Sequence, residues 1–73
     1  MLVEYYRYHR IQADARAVDG VWNAEVRIRR VFSEDKPHVE VVTCRKPTAE
    51  AAEKSAAVVA RRWVDRHAGA ECP

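Results

Sequence analysis

The sequence predicts an α+β domain, a three-stranded antiparallel sheet packed on one C-terminal helix (β-β-β-α). Three features predict it: an Asp19-Gly20 pair with apolar alternation on both sides, a β-branched run from His38 to Cys44, and an alanine-rich stretch after Pro47 with helical spacing. Asp-Gly closes a two-residue hairpin because both positions tolerate positive φ. If Val18 pairs with Val21, one face reads Ala17 with Trp22, Ala15 with Ala24, Ala13 with Val26 and Ile11 with Ile28, every pair apolar. The other face reads Arg16 with Asn23, Asp14 with Glu25, Gln12 with Arg27 and Arg10 with Arg29. A slip of one residue would bury this charged set, so the register is strongly specified.

Ser33 to Pro37 is a charged, turn-rich connection, and a third strand follows from His38 to Cys44, antiparallel to the second. Two registers are open to it. With Phe32 opposite His38, Val42 and Cys44 face the core and Val39 and Val41 face outward beside Val31 and Tyr8; a one-residue slip reverses them. Thr48 after Pro47 is an N-cap, Glu50 and Glu53 suit the positive end of the helix dipole, and Gly69 marks the end of a helix running from Ala49 to Ala68. Ala52, Ala56, Val59 and Trp63 form its expected sheet-facing stripe, with Trp22 and Trp63 filling the two ends of the core. The expected organisation is one domain over residues 1–69 and a disordered tail over 70–73.

A chain of 73 residues with 48% hydrophobic and 33% charged side chains is composed like a folded domain and has room for one small core. Thirteen basic against eleven acidic residues give a net charge of +2, which does not demand a polyanionic partner. Ten of the thirteen are arginine, the residue suited to bidentate carboxylate or phosphate contacts, though a GC-rich genome produces the same bias. No apolar run has the length of a membrane span or signal peptide, so a cytoplasmic location is the default expectation. Cys44 and Cys72 read as free thiols.

Catalytic, metal and cofactor chemistry are not expected. A nucleophile triad needs a Ser or Cys, a His and an acid that converge, whereas Ser33, Ser55, His9, His38 and His67 fall in separate elements. The ligand pairs of a zinc site are missing, and Gly20 and Gly69, the two glycines, are both used structurally. The outward arginines are the remaining chemistry. Arg10, Arg16, Arg27 and Arg29 share one pleated face with Glu25 and Asp14, and an antiparallel ribbon can carry such a set into a major groove.

Trp22-Asn23-Ala24-Glu25-Val26-Arg27, followed later by Thr48-Ala49-Glu50-Ala51-Ala52, resembles the plant ethylene-response-factor DNA-binding domain, with its Trp-x-Ala-Glu-Ile-Arg strand and Thr-x-Glu-x-Ala helix start. That resemblance implies DNA contacts from Glu25 and Arg27. The chain departs from the family at Gln12, at Asp14, at the tight Asp19-Gly20 turn and in lacking a third-strand tryptophan. More loosely it is similar to short proteobacterial proteins built as three strands and a helix, a likeness that implies no activity. The leading expectation is a non-enzymatic interaction domain, homodimeric through an open sheet face bearing Tyr8, Val31, Val39 and Val41. The alternative is nucleic-acid binding through Arg10, Arg16, Glu25, Arg27 and Arg29.

Overall fold

The computed structural model describes residues 1–34 and 36–71, with side chains as far as His67. It contains four strands, not three: β1 (Leu2–Tyr6), β2 (His9–Val18), β3 (Val21–Arg30) and β4 (His38–Lys46), followed by α1 (Ala49–Glu71). The strands form an antiparallel meander in the order β1-β2-β3-β4. The β2–β3 register is the one that the Asp-Gly turn dictates, with Ile11 opposite Ile28 and Val18 opposite Val21. Asp19 and Gly20 take φ of 50° and 81°, the pair of positive values that such a turn requires.

The additional strand is β1, paired from Leu2 opposite Ala13 to Tyr6 opposite His9. Its turn is a two-residue one at Arg7 and Tyr8, with φ of 47° and 65°. Neither residue is a usual occupant of left-handed backbone, where side chains cost roughly 1–2 kcal/mol each. Two bonds hold the strained turn: the His9 ring Nδ1 bonds the Arg7 carbonyl at 2.8 Å, and the Tyr8 carbonyl accepts from the sequence-distant Val31 amide at 2.8 Å. The alternation of Leu2, Glu4 and Tyr6 with Val3 and Tyr5 is that of a half-buried strand.

β4 faces the way one of the two open registers requires, with Val42 and Cys44 toward the helix and Val39 and Val41 outward. Its partners differ by four residues: Ile28, not Phe32, lies opposite His38. Phe32 has φ of 62°, which ends the ladder after Arg30 and leaves a seven-residue connection over 31–37. At the far end of β4 the pairing shifts between Trp22 and Ala24. Arg45 takes φ of 50° there, and its amide donates to Asn23 Oδ1 at 3.0 Å in place of a ladder bond.

The core lies between α1 and the inner face of the sheet. Thr48 Oγ1 accepts the Ala51 amide at 3.1 Å as the N-cap. Ala52, Ala56, Ala60 and Val64 are fully buried against Ile11, Ala13, Ala24, Val26 and Ile28. The contact row therefore advances by four residues at each step, where Val59 and Trp63 had been expected. Such a row is inclined to the helix axis, and the small side chains let a twisted sheet stay close along it. Val59 and Trp63 fall beside the row and are half-buried. Trp22 and Trp63 do close the two ends of the core. The helix also continues through Gly69 to Glu71. Cys72 lies outside the described residues.

Among the described residues only Ile11, Val26 and Val64 are large and completely enclosed, so the core has little redundancy. Ile11→Ala should cost about 3 kcal/mol, and Ala56→Leu about 1–3 kcal/mol by forcing helix and sheet apart. Urea melts of both against the exposed-site control Val58→Ala check this. A control as damaging as Ala56→Leu would contradict the close alanine packing.

Candidate interaction surface

One helix covers one face of the sheet, and the opposite face is open. Strand alternation places Val3 and Tyr5 of β1, Arg10, Gln12, Asp14 and Arg16 of β2, Glu25, Arg27 and Arg29 of β3, and Val39 and Val41 of β4 on it. The middle is charged and internally connected. Arg16 meets Glu25 at 2.8 Å and Arg27 approaches the same carboxylate at 3.6 Å. Arg10 donates to Gln12, which donates to Asp14, each at 3.0 Å. Arg29 has no carboxylate within ion-pair distance among the described residues.

The flanks are apolar. Tyr5 is 70% exposed and Val41 64%, with Val3 and Val39 also exposed. Tyr8 and Val31 do not join Val39 and Val41 in one patch. They are neighbours of each other at the end of the sheet, joined by the amide-to-carbonyl bond described above. Phe32, beside them, is completely exposed. At the opposite end Val18, Asp19, Val21, Asn23, Thr43 and Arg45 line an open hollow of about 280 Å³, which the irregular pairing of β4 creates.

On the helix side, β1 is clamped to α1 by polar contacts. Tyr6 donates to Asp65 Oδ1 at 2.8 Å, Arg7 bonds the same oxygen at 2.8 Å, and Glu4 lies 3.9 Å from Arg61. Accepting from the Tyr6 hydroxyl, and then from Arg7, holds the Asp65 carboxyl below its ordinary range. The bond to Asp65 also raises the Tyr6 phenol above its own. Beyond the start of β1, the Ala15 amide donates to Glu53 of the helix at 3.4 Å.

The histidines, expected to stay apart in separate elements, converge on Trp63. His67 stacks on the indole at 3.8 Å between ring centroids, His38 stacks at 4.6 Å, and His9 meets it edge-on at 6.4 Å. The topology brings the starts of β2 and β4 beside the C-terminal half of α1, a tertiary fact with no local sequence signal. The imidazoles spread over the indole instead of surrounding a common point. Among the described residues no three His, Cys, Asp or Glu side chains are grouped to hold a metal. The Cys44 thiol points inward, 3.5 Å from the Trp22 carbonyl and 3.8 Å from that of Ala52.

No protein-family model matches the chain, and neither a curated protein nor a solved structure does. Among the described residues no helix is long and apolar enough to cross a membrane.

The depressed Asp65 carboxyl gives a pH prediction. A group whose folded pKa lies below its unfolded value stabilises above the unfolded value, about 4, and loses that contribution as pH falls through the folded one. The raised Tyr6 phenol contributes below about pH 10 and loses its share as pH rises through its folded value. Asp65→Asn should therefore be less stable than wild type at pH 6, and the gap should narrow progressively as pH falls below about 4. Urea midpoints across that range check it; a gap unchanged with pH contradicts it.

Proposed function

We propose that the chain is a small non-enzymatic interaction domain that associates with a second copy of itself through the open sheet face. The pattern on that face carries the reading: exposed β-branched and aromatic side chains at both flanks border a strip in which two carboxylates, Asp14 and Glu25, engage three of the four arginines, directly or through Gln12. A surface meant for a polyanion leaves its cations free to displace counterions. Here Arg16 and Arg27 are committed to Glu25, and Arg10 to the Gln12–Asp14 relay. The face measures roughly 500–600 Å² from strands about 4.8 Å apart and a rise of about 3.3 Å per residue. Two such faces approach the roughly 1,000 Å² that a specific interface needs, at its weak end.

Nucleic-acid binding through Arg10, Arg27 and Arg29 is the second reading. Arg29, which stands beside Arg10 and has no carboxylate partner among the described residues, favours it, and the nearby carboxylates of Asp14 and Glu25 oppose it.

Light scattering on eluting protein over a concentration series tests the first reading. Wild type should pass from monomer to dimer at micromolar to millimolar concentration, and Val41→Glu should stay monomeric with an unchanged circular dichroism spectrum. A chain monomeric throughout, binding generic duplex DNA with an affinity that falls steeply with salt and is lost in Arg29→Ala, would put the second reading in its place.

A further inference from the structure

Resting on self-association through the open face, we infer its arrangement: an antiparallel two-fold pairing centred on the Gln12–Arg27 row, in which the Phe32 end of each copy docks at the Val18–Val21 hollow of the other. The argument is one of register. The four strands align the open-face residues in rows: Met1, Asp14, Glu25 and Val41; then Val3, Gln12, Arg27 and Val39; then Tyr5, Arg10, Arg29 and Pro37, the two end positions being the next step along their strands. A two-fold axis in the plane of the interface, perpendicular to the strands and through the middle row, exchanges the outer rows.

Arg10 then lies over Asp14 of the second copy and Arg29 over its Glu25, so each basic row meets an acidic one twice. Tyr5 lies over Met1, Val41 over Pro37, and the middle-row residues Val3, Gln12, Arg27 and Val39 over their own counterparts. Of the three rows, only the middle one used as the centre sets both Arg10 and Arg29 against carboxylates; the one cation it superposes on itself is Arg27, which Glu25 of its own chain approaches at 3.6 Å. A centre on the row of Arg10 and Arg29 stacks those arginines on themselves, and one on the row of Asp14 and Glu25 stacks carboxylates. Because the interface is isologous, one complementary pair of rows serves the whole contact.

The same axis exchanges the two ends of the sheet, and this is an independent match. Phe32 and Tyr8 stand exposed just past the row of His9 and Arg30, on backbone with φ of 62° and 65°. The hollow lined by Val18, Val21, Thr43 and Arg45 lies about as far from the middle row in the other direction. An exposed aromatic on strained backbone is a feature that folding does not account for. Docked in the hollow, the Phe32 ring gains two valines and a guanidinium from Arg45 able to lie against its face.

The test uses the full chain and two reciprocal charge reversals. Arg29→Glu and Glu25→Lys should each weaken self-association on the order of 100-fold, since each places like charges together twice per dimer. Their equimolar mixture should dimerise again, because the heterodimer pairs Glu at position 29 with Lys at position 25 and retains one native pair. Phe32→Ala should weaken association on the order of 10-fold or more with an unchanged melting curve at low concentration. Analytical ultracentrifugation reads all four, and circular dichroism confirms folding. A wild-type dimer broken by Val41→Glu, with Arg29→Glu and Phe32→Ala indistinguishable from wild type, overturns the arrangement and leaves the face as the interface. A wild type without dimer overturns both.

Discussion

The close packing of Ala52, Ala56, Ala60 and Val64 on the Ile11–Ile28 side of the hairpin is the contact on which the rest of the molecule depends. A ridge of alanine lets the helix sit near the sheet, and Ile11, Val26 and Val64 fill what space remains. Burying an isoleucine contributes roughly 1.5–3 kcal/mol, a large share of the stability of a domain this small. That packing fixes which face of each strand is inside. Every residue on the open face is placed by alternation from it, which is why a single register decides both the core and the surface offered to a partner.

The small core has a second consequence. With one helix for four strands, half of the sheet surface has no cover from its own chain. The fold meets this with ion pairs and side-chain relays in the middle, Arg16 and Arg27 on Glu25 and Arg10 through Gln12 to Asp14, which keep the centre hydrogen-bonded. The flanks are not blunted in the same way. Val39 and Val41 lie on the exposed edge strand β4, where natural sheets more often carry charge or proline, and a paired surface is the physical use for them.

Much of this was legible in the sequence because the signals were local. Asp19-Gly20 dictated its turn, the turn dictated ten cross-strand pairs, and Thr48 capped the helix as its side chain predicts. The misses share a cause as well. β1 went unseen because its turn uses Arg7 and Tyr8, residues with no preference for positive φ, held there by contacts to Asp65, Val31 and the His9 ring that are distant or not implied by sequence. The helix stripe was displaced because a straight-helix periodicity steps by three and four, while packing on a twisted sheet selected four throughout. The gathering of His9, His38 and His67 around Trp63 joins three elements and has no spacing to announce it. On the open face, the arginines were placed correctly by pleat, but their commitment to Glu25 and to the Gln12 relay depends on rotamers that sequence does not give. The hollow beside Val18 arises from the irregular pairing at Arg45, which the valine-rich start of β4 does not foretell.

The measurement that bears most directly on the account is the concentration dependence of backbone amide shifts in solution. From dilute to millimolar protein, the account predicts shifts that move together along Val3–Tyr5, Arg10–Asp14, Glu25–Arg29 and Val39–Val41, and at Phe32 and Val18–Val21, while the solvent face of α1 around Val58 and Arg62 stays still. Shifts confined to the helix, or spectra identical across the whole range, would contradict it.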